Sequence, residues 1–150
     1  MIRKTLTAAL LFLGAALMFG TAAPAHAAET PKLAIDGYDP VGYFTEKQPI
    51  EGKPEFTHDW DGSRYQFHNA ANRDRFAADP DRYAPNYAGN CAATLAMRGA
   101  RIPANPKYWL IVDGKLYLFA GPQGPERFTK DPSLIEQADA KWKTAQKPKN

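Results

Sequence analysis

The chain predicts a small single α+β domain, an antiparallel sheet built from two β-hairpins with short helices packed on it. Three observations carry that expectation. Asp61-Gly62 and Asp113-Gly114 each lie between two apolar-rich runs, and Asp-Gly suits a two-residue type I′ turn in which both residues take positive φ. Each hairpin is followed by a short stretch that ends in Asp-Pro, at Asp79-Pro80 and Asp131-Pro132, where the residue before proline is pushed out of the helical region. A single cysteine in 150 residues forbids an internal disulfide, so stability has to come from packing by the three Trp and the many Tyr and Phe.

Residues 1–27 read as a signal peptide. Arg3 and Lys4 supply a positive start, residues 6–19 an apolar run, and Ala25-His26-Ala27 a small-x-small cleavage site. The run is short for a membrane span, so the expectation is a cleaved chain in the periplasm or secreted, with no stable membrane anchor. Cleavage removes His26 and two basic residues, leaving His58 and His68 and a balance of 17 basic to 16 acidic side chains, net +1. That near-neutral balance excludes the basic stripe a nucleic-acid binder needs. Residues 28–142 are expected to form the domain. The lysine-rich residues 143–150 read as a flexible, solvated tail.

Within the domain, residues 28–40 read as an entering loop, 41–44 as a short strand, and 45–54 as a connector into the first hairpin. With Asp61-Gly62 as its loop, Phe56, His58 and Trp60 share a face with Ser63, Tyr65 and Phe67, and His68 lies opposite Glu55. Asn69 caps the helix that runs to Asp79-Pro80. Residues 81–85 form one more turn, residues 90–98 a second short helix, and residues 101–106 a loop. The second hairpin, residues 108–119, is apolar on both faces, which predicts a central place in the sheet with the first hairpin nearer an edge. A helical turn over 126–130 precedes the last helix, which opens at Asp131-Pro132 and ends near Trp142. The predicted core is Trp60, Tyr65, Phe67, Phe76, Leu110, Tyr117 and Phe119.

An echo runs through this pattern. Asp61-Gly62, Tyr65, Phe67, Arg75-Phe76 and Asp79-Pro80 recur 52 residues later as Asp113-Gly114, Tyr117, Phe119, Arg127-Phe128 and Asp131-Pro132. A structural repeat and the independent reuse of the same turn chemistry both account for it. The histidines break the echo, since Ala120 and Leu110 stand at the positions that match His68 and His58.

Cys91 is the leading chemical candidate. It follows Gly89-Asn90 at the start of a predicted helix, where backbone N–H groups and the helix dipole favour a thiolate. The structural alternative is a small buried hydrophobe. His68, at a strand end, is the second candidate ligand. His58, among aromatic residues, fits a packing role better, and Asp39, His58 and Tyr87 are secondary candidates. Cysteine and histidine together suit a soft or borderline metal such as copper or zinc. The sequence contains no CxxC, HxxxH or HExxH spacing, no GxSxG elbow and no glycine-rich phosphate loop.

At Asp39-Pro40-Val41, Tyr65-x-Phe67, Phe76, Asp79-Pro80 and Tyr83 the chain resembles the YHS-domain family, over roughly residues 36–98. It is most similar to an exported, stand-alone branch in which a tyrosine-rich segment ends in Cys-Ala, here residues 87–92. The resemblance implies a metal-binding module that uses cysteines. Gly42, His68 and Asn72 stand where those cysteines would be, so only His68 keeps a ligand type. The expectation is a non-enzymatic exported module holding copper or a similar soft metal through Cys91 and His68, with a metal-handling or redox protein as partner. A thiol-based redox protein using Cys91, and an interaction module without chemistry, are the alternatives.

Overall fold

A computed structural model describes residues 30–146. Strand β1 (Lys32–Leu33) leads into a 3-10 turn (Ala34–Gly37) and helix α1 (Gly42–Thr45). Strands β2 (Lys53–Trp60) and β3 (Ser63–Phe67) form the first hairpin, followed by α2 (Ala70–Ala78) and α3 (Pro80–Tyr83). A second 3-10 turn (Asn86–Gly89) and α4 (Ala92–Arg98) precede the second hairpin, β4 (Asn105–Val112) and β5 (Lys115–Phe119). Helices α5 (Gln123–Lys130) and α6 (Ser133–Gln146) close the described chain. The α+β class therefore holds, and the predicted cleavage site and residues 147–150 lie outside the described residues.

Both turns form as expected, with positive φ at Asp61 and Gly62 and at Asp113 and Gly114. Pairing of Trp60 with Ser63, Asp59 with Arg64 and His58 with Tyr65 confirms the inner register of the first hairpin. On the outer face, Arg64 grips Asp59 through two 2.7 Å bonds. Asn69 caps α2 by accepting the Asn72 N–H at 2.8 Å, and Asp79 ends that helix.

Four expectations need correction. Residues 41–44 are helical, because the Asp39 carboxylate accepts the N–H groups of Val41 and Gly42 and starts a helical turn. A bulge between Lys53 and Thr57 places Lys53 opposite Phe67, so His68 lies beyond β3 and does not face Glu55. The two hairpins do not share one sheet: β1, β3 and β2 form a three-stranded mixed sheet with β1 parallel to β3, while β4 and β5 stand alone. The second apolar face of β5 is explained by Leu116 and Leu118, which pack with Tyr43 from the first half of the chain. Finally, Trp60 and Leu110 are only half-buried and flank the core, whereas Tyr65, Phe67, Phe76, Tyr117 and Phe119 are buried.

The 52-residue echo is structural. The bulge of the first hairpin recurs between Asn105 and Trp109, with Asn105 opposite Phe119 as Lys53 is opposite Phe67. The two 3-10 turns, Ala34–Gly37 and Asn86–Gly89, occupy matching positions. Each carries three successive positive φ angles, at Ile35, Asp36 and Gly37 and at Tyr87, Ala88 and Gly89. The isolated bridges Tyr38–Glu51 and Asn90–Pro103 also match. So do the bonds Asp39 N–H to Ile50 O and Cys91 N–H to Ile102 O, at 2.8 and 2.9 Å. The cores repeat as well: Val41, Tyr65, Phe67 and Phe76 in one half, Ala93, Tyr117, Phe119 and Phe128 in the other. Conserving the turn, the bulge and the core positions together requires two copies of one hairpin-and-helix unit, and reuse of turn chemistry alone would not reproduce the bulge.

Candidate functional site

The repeat pairs Asp39 with Cys91. Asp39 is fully buried, yet no cation is needed to satisfy it. One carboxylate oxygen accepts Val41 N–H at 2.8 Å and Gly42 N–H at 3.3 Å, and the other accepts His68 N–H at 2.9 Å and the Asn72 amide at 2.7 Å. Four converging donors satisfy both oxygens of this carboxyl group. Three of these donors belong to Gly42, His68 and Asn72, the positions where the sequence resemblance would place ligating cysteines. In this chain they serve as a hydrogen-bonded knot that ties α1, α2 and the end of β3 together.

Cys91 occupies the same seat in the second unit. It is 3% exposed and stands at the N-cap of α4. Its Sγ accepts the backbone N–H of Ala120 at 3.2 Å, the counterpart of the His68 N–H on Asp39, and the Thr94 hydroxyl at 3.3 Å. Thr94 in turn matches Gly42. The sulfur therefore shares one donor position with the Asp39 carboxylate and gains a hydroxyl from Thr94. The helix dipole expected from sequence contributes little, since α4 has only seven residues and Cys91 makes no side-chain cap bond to its backbone. The side-chain hydroxyl and the N–H after β5 do the holding.

A shallow surface pocket opens at this sulfur, lined also by Thr94, Met97, Ala120, Gln123 and Arg127. Met97 is exposed, and its Sδ accepts from the Arg127 guanidinium at 2.9 Å. Gly124 forms part of the pocket floor, packed so closely on Phe119 that an added Cβ would meet that ring at 2.4 Å.

The other candidate residues lie elsewhere. His68 is exposed and lines a separate surface groove with Tyr38, Glu51, Lys53 and Lys107. Cys91 and His68 therefore open onto different pockets, one in each unit. His58 is half-buried and packs edge-on against Phe76, with ring centroids 5.9 Å apart, which is a packing role. Tyr87 is buried and donates to Asp139 at 2.9 Å; burial, and then that bond, push its phenol well above the usual range. Among the described residues no three His, Cys, Asp or Glu side chains gather as a metal centre would require. Nor is any helix among them long and apolar enough to cross a membrane.

Sequence reading missed Thr94, Met97, Gln123 and Arg127, which come together only through folding. The equivalence of Cys91 with Asp39 was within reach, because their separation is the same 52 residues that relate the turns. Comparison of the chain with protein-family models, with curated proteins and with solved structures returned no match.

Proposed function

We propose that the protein is an exported module of the YHS type that acts through Cys91, used as a redox-active thiol. The observation that carries this reading is the seat of the sulfur: Cys91 stands where the first unit has the buried Asp39 carboxylate, keeps one matching donor, the Ala120 N–H, and gains the Thr94 hydroxyl. A thiolate is the nucleophilic form of cysteine, and the surface pocket that Cys91 lines gives an oxidant a route to the sulfur. With hydrogen peroxide as oxidant, the sulfur attacks one peroxide oxygen, the O–O bond breaks, hydroxide leaves and Cys91 becomes a sulfenic acid. The chain has no second cysteine to resolve it, so an external thiol condenses with the sulfenic acid, releasing water, and a second one frees Cys91 as a disulfide leaves.

Copper or another soft metal on Cys91 is the second reading, favoured by Met97, whose thioether lines the same pocket. Two features support the thiol reading over it. Arg127 already engages the Met97 sulfur and places a positive charge where a cation would bind. The pocket lining also lacks the His68 ring that a mixed Cys/His site would use.

Treatment of the mature protein with peroxide and a sulfenic-acid trap, followed by peptide mass spectrometry, tests the proposal. The expected result is labelling at Cys91 in the native protein, little changed by prior exposure to copper(I). Absence of labelling, with copper(I) bound at one equivalent and lost in Cys91→Ser, would transfer the assignment to the metal reading.

A further inference from the structure

A second site lies at the seam between the two units, away from Cys91. There a cleft of about 290 Å³ is lined by Trp60 and Tyr65 from the first hairpin, Asp81 from α3, Asn86 from the second 3-10 turn, Lys115 from β5 and Trp142 from α6. We propose that this cleft binds a saccharide of one or two rings. A sugar presents an apolar C–H face together with a rim of hydroxyls that both donate and accept. It is matched by aromatic platforms interleaved with carboxylate, amide and ammonium groups.

Tyr65 supplies an independent pointer to a ligand. The residue is only 4% exposed, yet its hydroxyl has no hydrogen-bond partner among the described residues and is not sealed from the cleft. A polar tip at the end of a buried ring is usually paired, and Tyr65 lines this cleft as well as a smaller pocket beside Ala34 and Ile35. The alternatives fit less well. An organic cation would meet the Asp61 and Asp81 carboxylates only in competition with the Lys115 ammonium and the Arg101 guanidinium, which lies over the Trp142 ring 4.6 Å from its centroid and leaves Trp60 as the platform. A simple anion would meet the Asp81 carboxylate. The second unit has no copy of this site, because Val112 stands at the position that matches Trp60 and the matching tyrosine, Tyr117, is enclosed in the core.

Saturation-transfer NMR on the full mature chain, with glucose, N-acetylglucosamine, maltose and glycine betaine as separate probes, tests the proposal. Transfer to the C–H protons of at least one saccharide is expected, with none to betaine. Tyr65→Phe should weaken that binding about three- to tenfold, the loss of one hydrogen bond, and Asp81→Asn, at an exposed position, should weaken it without disturbing the fold. Trp60→Ala should abolish transfer, and Cys91→Ser should leave it unchanged. No transfer from any saccharide, betaine binding in their place, or binding indifferent to both Tyr65→Phe and Asp81→Asn would overturn it.

Discussion

At residue 39 a buried carboxylate without a cation is held by four donors, and the same seat at residue 91 holds sulfur. The first case is structural. Asp39→Ala would leave two backbone N–H groups of α1, the His68 N–H and the Asn72 amide without their partner. Since each buried unsatisfied donor costs roughly 1–3 kcal/mol, a loss of at least about 3 kcal/mol is expected by urea denaturation. Tyr65 gives a second residue-level prediction. Burial, reinforced by the nearby Asp61 charge, pushes its phenol up to about 12. The unfolded chain ionises this group near its ordinary value of 10.0, so the folded state holds the proton longer. Stability from this group is complete below about pH 10 and falls as pH rises toward 12. Denaturation at stepped pH should show that decline, and Tyr65→Phe should flatten it.

Among the elements, the hairpins, α2 with its Asn69 cap, and the Asp-Pro helix ends were legible because each rests on local chemistry. The bulges were not. They shift the register between Lys53 and Thr57 and between Asn105 and Trp109, where four steps on one strand match a single step on its partner, and the alternation of side chains gives no local sign of them. α1 was misread as a strand because Val41, Tyr43 and Phe44 are good strand residues, while the feature that bends them into a helix, the Asp39 carboxylate on two N–H groups, is tertiary once its other two bonds are counted. At Gly124, near the start of α5, an added methyl would strike the Phe119 ring and Cβ. Gly124→Ala is therefore expected to destabilise by about 1–3 kcal/mol despite its better helix propensity, and thermal melts would measure it. The gain from propensity is at most about 1 kcal/mol, so crowding wins.

Across the whole molecule, the structural repeat explains what element-by-element reading could not. Two units each build a core of Tyr, Phe and a helix-borne Phe, and a third cluster joins them. Tyr43 of the first unit packs with Leu116 and Leu118 of the second and with Trp109, and its hydroxyl donates to Pro106 O at 2.8 Å. That seam was invisible in sequence because its residues are about 65–75 positions apart and follow no period. It also made β5 look like a central strand. A fragment ending at Ala84 would expose Val41, Tyr43 and the seam side of the first unit. It is expected to lack cooperative unfolding by circular dichroism, whereas the two-unit chain unfolds in one transition.

The central proposal is that Cys91 is a reactive thiol, its sulfur held by the Ala120 N–H and the Thr94 hydroxyl. Its most direct test is the rate of alkylation of the native protein by iodoacetamide at neutral pH, compared with free N-acetylcysteine and with Thr94→Val. Native Cys91 is expected to react faster than the free thiol, and Thr94→Val, which removes the hydroxyl from sulfur, is expected to slow it. A Cys91 that stays unreactive until the protein is denatured, with Thr94→Val indistinguishable from the parent chain, would contradict the proposal.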